Sequence, residues 1–483
     1  MNLQLAQLGL LAKYLPQATP LDPAEDPPGS VDPLGTLSIA ERIAEVLFPG
    51  FTARMWRPRF LTFAAMAALI SERATLSQIR TEDTGLTARL GFERLFVSAV
   101  VRQEIREPEA WESATRRLPG RRLARRAGDM PLGRNNFLKG QAVNGPFGVV
   151  ARLARQLGIV DEDDRLGRNG EELLLAWAKD QELPGLLDED NSGTPGKKWL
   201  ARFVQEIVSH VSEEQWRKPG WEGWLDLAKR LRPDDVCENE RETLHRLLYS
   251  DAIRARCLDL LRKRKVVSLY RAAKDGGRSK QDRSVLIEGV LPLLSVNKRH
   301  EDRTIELAIH LADAYEQVAS LMEVAFNDLR WGLKYRGEQA RPGELVADPR
   351  LQPVFRSVCR QLSKSAGLLR ERKEQISSVP QMVDLNLIEP IDILASQALT
   401  AAESPERLIK TVISRHQKVQ KDKGKGMWIE PGERWTLMPG FGLTNESPLK
   451  AEVTYLHAFR VQNAYSFLGE LSLAGVEMPD GEA

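Results

Sequence analysis

Apolar residues recur every three or four positions over most of this chain, the spacing of amphipathic helices. Ile305, Ala308, Leu311, Tyr315, Val318, Met322, Ala325 and Leu329 trace one face of a helix of about thirty residues, long enough to require partners in a bundle. Ile39 to Val46 predicts a shorter helix, Leu47-Phe48-Pro49-Gly50-Phe51-Thr52 a turn, and Pro58 to Glu72 a long apolar helix. Further on, Asn144-Gly145-Pro146 reads as a helix start, and Phe147, Val150, Leu153 and Leu157 form its apolar stripe. Arg152 and Arg155 share another face of that helix, and Gly158 stands where a left-handed cap is expected. Ile159-Val160, the acidic tip Asp161 to Asp164 and Arg165-Leu166 then predict a hairpin, and Gly167 to Gly170 leads into a helix from Glu171 to Lys179. Helix, small wing and helix in that order is the winged variant of helix-turn-helix. The predicted fold is mainly α and multidomain, with an embedded winged-helix (α+β) module.

A chain of 483 residues exceeds a single compact core. The pattern divides it into an N-terminal helix (1–16), a Pro/Asp/Gly-rich linker (17–35), a helical domain (36–115) and a basic segment with the winged helix (116–182). A loop (183–198), a tryptophan-containing and basic helical region (199–300), a long-helix bundle (301–405) and a C-terminal basic loop with a small α+β region (406–483) follow. Trp199, Trp216, Trp221 and Trp224 read as packing between helices rather than as base-stacking platforms.

Charge changes the picture only locally. With 69 basic and 67 acidic residues the net charge is +2, so affinity for a polyanion has to come from patches. Such a patch runs from Arg116 to Lys139, where Arg116, Arg117, Arg121, Arg122, Arg125, Arg126, Arg134 and Lys139 face one acid, Asp129. A second basic stretch, Arg254 to Arg283, includes Arg262-Lys263-Arg264-Lys265, Arg271, Lys274, Arg278 and Lys280. The first is compatible with phosphate contact, with a protein-docking face or with a solvated helix face; the second can track a phosphate backbone, a solvated helix end and loop being the more common explanation of such a run.

The search for chemistry returns mostly negatives. Gly193-Thr194-Pro195-Gly196-Lys197-Lys198 lacks the spacing of a phosphate loop, no two of the six histidines stand at i, i+4, and no Gly-x-Ser-x-Gly elbow occurs. His416-Gln417-Lys418-Val419-Gln420-Lys421-Asp422 misses the histidine-lysine-aspartate signature of phospholipase D-like nucleases by one position and has no second copy. Lys418, Lys421, Lys423 and Lys425 with Gly424 and Gly426 read instead as a flexible basic loop within reach of a phosphate backbone. Cys237, Cys257 and Cys359 show neither disulfide nor zinc spacing, and no segment reads as a membrane span or a secretion signal, which points to the cytoplasm. No cofactor and no metal are expected.

Two end motifs complete the reading. Leu47 to Thr52 with Arg54, Arg57, Arg59 and Phe60, and at the other end Trp428, Trp435, Pro439-Gly440-Phe441-Gly442 and Tyr455 to Ala464, resemble uncharacterised bacterial proteins of antiviral defence islands. The resemblance implies a genomic setting, with ATPases, helicases or nucleases as partners. The expectation is a non-catalytic nucleic-acid-binding or adaptor subunit that touches DNA through Arg116, Arg117, Arg121, Arg122, Arg125, Arg126, Arg152, Arg155, Lys418 and Lys421. A protein-docking scaffold and a cryptic nuclease are the alternatives.

Overall fold

The computed structural model describes residues 32–76, 84–133, 136–188, 193–213, 218–273, 277–294, 299–443 and 447–471. The expected N-terminal helix, most of the linker, and Arg134, Trp216 and Lys274 lie outside the described residues. The protein is mainly helical. Two compact units form, one from Met1–Ile43 with Glu306–His457, the other from Ala44–Ile305 with Ala458–Ala483.

In the second of these, the helices Arg59–Leu76 and Thr84–Arg106 pack face to face, with Phe63 set against Phe92 and Phe96 at 5.3 and 4.5 Å between ring centroids. Arg59 is buried there, and its two terminal nitrogens donate to Glu240 and to the Asp235 and Arg230 carbonyls, while its Nε has no partner among the described residues. Trp177, Trp199, Phe203, Trp221 and Trp224 form one aromatic ladder, and the Trp177, Trp199 and Trp224 N–H groups donate to Arg230, Asp226 and Lys218. The described tryptophans of that region are core, as their helical setting predicts.

The first end motif and the final residues of the second, from Ala458 on, belong to this unit. Gly50, at φ +83°, makes the turn after the helix Leu37–Leu47 and donates its N–H to Glu45 at 2.8 Å. A Cβ at Gly50 would strike Gln156 and Leu153, so only glycine fits. From the helix Val461–Glu470, Phe467 packs on Phe51, Asn463 donates to the Met55 carbonyl at 2.6 Å and Ser466 to the Trp56 carbonyl at 2.7 Å. Arg460 pairs with Glu45 at 2.8 Å, and Asp282 accepts the Phe459 N–H at 2.6 Å.

Between residues 146 and 180 the helices Pro146–Gln156 and Arg168–Asp180 form as the periodicity predicts, with Gly158 at φ +64°. The pairing between them is short: one antiparallel bridge, Val160 to Leu166, flanked by the Asp161 N–H to the Arg165 carbonyl and the Gly167 N–H to the Ile159 carbonyl, both at 2.9 Å. The Asp161 carboxylate closes the tip by accepting the Asp163 and Arg165 N–H groups at 2.9 and 2.8 Å.

The other unit is built on the helix His300–Tyr335 from Glu306 onward and on Gln352–Ile376, Ile388–Ala402 and Pro405–Asp422, which pack on one another. The long helix expected from Ile305 to Leu329 is therefore present and longer. A small antiparallel sheet joins Gln339–Ala340, Trp435–Leu437 and Ile429–Glu430, with Trp435–Leu437 in the middle and Thr436 opposite both Gln339 and Glu430.

Candidate nucleic-acid interface

The helix Pro108–Thr115 ends in a turn whose backbone sets the site. Leu118 N–H bonds the Thr115 carbonyl at 3.1 Å, Arg116 lies at φ −59°, ψ 124°, and Arg117 follows at φ +63°. That is the type II pattern, whose third residue is normally glycine. An arginine in the left-handed region costs on the order of 1 kcal/mol, and the surroundings hold it there. Arg57, itself nearly buried, donates to the Ser113 and Arg116 carbonyls while pairing with Glu470 at 2.6 Å.

This turn delivers the Arg117 guanidinium onto the ring of Trp56, 3.5 Å from its centroid. Arg278, the first residue of the helix Arg278–Arg283, lies over the same ring at 4.9 Å. The two guanidinium carbons are thus no farther apart than the sum of those distances. The helix that begins at Arg278 continues into a π-helical stretch, Ser284–Val290, the kind of irregularity that local packing has to maintain. The basic stretches at 116–139 and 254–283, separate in sequence, supply one arginine each to one buried tryptophan.

Among the described residues, the side chains of Arg116, Arg117 and Arg278 make no hydrogen bond or ion pair; Arg117 and Arg278 lie over Trp56, and Arg116 acts on Arg117 through its charge. Burial against the ring, then the charges of Arg278, Arg57 and Arg116, push the Arg117 guanidinium down to about 10. Two acids within electrostatic reach, Glu470 and Asp282, are pushed up to about 7 by burial and so are only partly ionised at neutral pH. Cations on a π face with free N–H donors are an anion-binding arrangement.

The other sequence-predicted residues divide sharply. Arg121 and Arg125 both turn to Glu104, with Arg121 Nε at 3.1 Å from the carboxylate and Arg125 Nη1 at 3.5 Å. Arg122 and Arg126, on the same short helix Arg121–Ala127, are exposed and carry no ion pair among the described residues. Arg152 and Arg155 were expected to stand free for a groove. They do not: Arg152 pairs with Glu45 at 3.2 Å, and Arg155 with Asp164 at 2.5 Å. Asp164, from the acidic tip, also holds Arg89 at 2.7 Å. In the second basic stretch Arg254 is buried, donating to the Leu248 and Pro49 carbonyls, and Arg256 pairs with Asp302 at 2.6 Å; Arg262 to Lys265 remain exposed.

Lys418 and Lys421 lie in the other unit and are not on a loop. The helix runs to Asp422, so both are exposed side chains of its last turns, and Lys423 pairs with Asp32 at 3.2 Å. Lys418 borders a small cleft of about 180 Å³ together with Arg415, Glu389 and Asp422, a mixed rather than cationic lining.

His416 is a structural clip. Trp428 N–H donates to Nε2 at 3.0 Å, which leaves Nδ1 to donate to the Pro33 carbonyl at 3.0 Å, and burial pushes its pKa down. With both nitrogens used, it has no proton to exchange with a phosphodiester. Among the described residues no group of three His, Cys, Asp or Glu is placed to hold a metal, and the buried Cys257 and Cys359 thiols are pushed up by desolvation.

Sequence reading missed Trp56 and did not separate Arg278 from its basic neighbours; the available signal was Trp56-Arg57-Pro58-Arg59, of which the arginines alone drew notice. Comparisons with known protein families, with curated proteins and with solved structures find no match to this chain.

Proposed function

We propose that this protein is a non-catalytic nucleic-acid-binding or adaptor subunit of a bacterial antiviral defence system. It contacts nucleic-acid phosphates through Arg116, Arg117 and Arg278 together with Arg122 and Arg126. The observation that carries this reading is the convergence of arginines without acid partners on Trp56, at the cost of a left-handed arginine backbone. ATPase, helicase or nuclease partners would supply the chemistry. The segment from 146 to 180 serves in this reading as a winged-helix-like docking element rather than a groove reader, since Arg152 and Arg155 are each paired with a carboxylate. Leu175, exposed on the helix Arg168–Asp180, supports a protein partner at that place.

The test is the salt dependence of binding to duplex and single-stranded DNA by fluorescence anisotropy. Each phosphate contact contributes about −0.9 on duplex DNA to the slope of log K against log salt. A slope near zero would remove the nucleic-acid reading and leave the docking scaffold. ATP hydrolysis or DNA cleavage by the purified chain would overturn the non-catalytic assignment.

A further inference from the structure

We infer that the Trp56 site holds a phosphate dianion, the terminal phosphate of a nucleic-acid end or of a free nucleotide, rather than an internal phosphodiester. This deepens the nucleic-acid reading and rests on it only for the source of the phosphate.

Three observations carry it. First, the site recognises phosphate and not base: Trp56 is buried, and Arg117 lies on its ring at van der Waals distance, so no face is left for a nucleobase to stack on. Second, the site is built rather than incidental. Arg117 occupies the glycine position of a type II turn, and Arg57 fixes the carbonyls of that turn while anchored to Glu470. Relaxing to glycine would relieve the backbone, so the guanidinium is what the strain retains.

Third, the charge count favours two negative charges over one. The charges of Arg278, Arg57 and Arg116 all act on Arg117, and of these four arginines Arg57 alone is bonded to a carboxylate, Glu470, among the described residues. A phosphodiester brings one charge, whereas a phosphomonoester brings about −1.5 to −2 at neutral pH and three terminal oxygens for two guanidinium forks. The exposed Arg117 and Arg278 side chains approach from a turn and from a helix start, an arrangement suited to a group with several oxygens at its end.

The experiment compares oligonucleotides of one sequence bearing a 5′-phosphate or a 5′-hydroxyl, with inorganic pyrophosphate as competitor, on the full chain. The 5′-phosphate should bind roughly tenfold tighter, the effect of about one added charge-assisted contact. Pyrophosphate should erase that difference. Arg117→Gly, whose turn keeps its backbone, should abolish the preference without lowering the melting temperature, and Arg278→Gln should do the same. Equal affinity for both oligonucleotides with no effect of pyrophosphate overturns the inference while leaving backbone binding standing. Arg117-dependent pyrophosphate binding with neither oligonucleotide bound would instead uphold the dianion site and remove nucleic acid as its source.

Discussion

At the turn Thr115–Leu118, Arg116 and Arg117 carry guanidiniums to which no carboxylate is bonded, while in the helix Pro146–Gln156 of the same unit Arg152 and Arg155 each hold one. Both stretches look alike as sequence: paired arginines beside an apolar stripe or turn. The difference lies in residues contributed from elsewhere. Glu45 and Asp164 reach Arg152 and Arg155, whereas Arg117 meets Trp56, Arg57 and Arg278. Basic residues counted along a chain therefore overstate an anion site, and the remainder left after internal pairing is the meaningful quantity.

The largest effect expected follows from removing that remainder. Replacing Arg117, Arg122, Arg126 and Arg278 by alanine should flatten the salt slope of DNA binding by roughly three to four units. The folded variant's slope, measured beside that of the parent, would dissolve the contrast if it were unchanged. At the paired region, Asp164→Ala strips the partner from both Arg89 and Arg155, and should cost about 1–3 kcal/mol in denaturant unfolding, because Arg89 is nearly buried. A variant as stable as the parent would show those arginines to be held by something else.

A pH titration sharpens the contrast from the acid side. Folded Asp282 keeps its proton up to about pH 7, while in the unfolded chain it releases it near 4. Between those values the native state binds more protons, so stability falls as pH rises from about 4 to 7. Asp282→Asn should remove its own share of that decline, since Glu93, Asp328 and Glu470 are also raised to about 7, read by thermal unfolding across the range; an unaltered profile would show that Asp282 is ionised when folded. The smallest effect belongs to Arg152→Ala combined with Arg155→Ala. These half-exposed pairs should cost under about 1 kcal/mol each and leave the DNA salt slope where it was.

Local periodicity carries what is local. It marked the helices Leu37–Leu47, Arg59–Leu76, Pro146–Gln156, Arg168–Asp180 and His300–Tyr335, because each buries one face and shows it in spacing. It marked the short pairing around Val160 and Leu166 without showing its tip, which Asp161 closes by accepting N–H groups two and four residues on, a contact that hydropathy does not register. It also placed Lys418 and Lys421 on a loop, where Leu408, Ile409, Val412, Ile413, His416 and Gln420 instead bury a helical stripe through that region. The site was half legible: Arg116 and Arg117 stand out by charge density, but nothing near them in sequence points to Trp56, Arg278 or Glu470. Those partners come from segments far apart, and their meeting is a property of the fold alone.

The helix Val461–Glu470 also sets a clock. Ser466 and Asn463 hold the Trp56 and Met55 carbonyls from about 410 positions downstream. At roughly 5–20 residues per second of synthesis, the segment around Trp56 waits on the order of 20 to 80 seconds for its partner to be made. Throughout that interval Phe51 and Trp56 lack part of the surface that will bury them, while the residues of the other unit are being added. A ribosome-stalled or truncated chain ending before Val461 should therefore be a chaperone client, and the segment around Trp56 reaches its folded setting only when the helix Val461–Glu470 has docked.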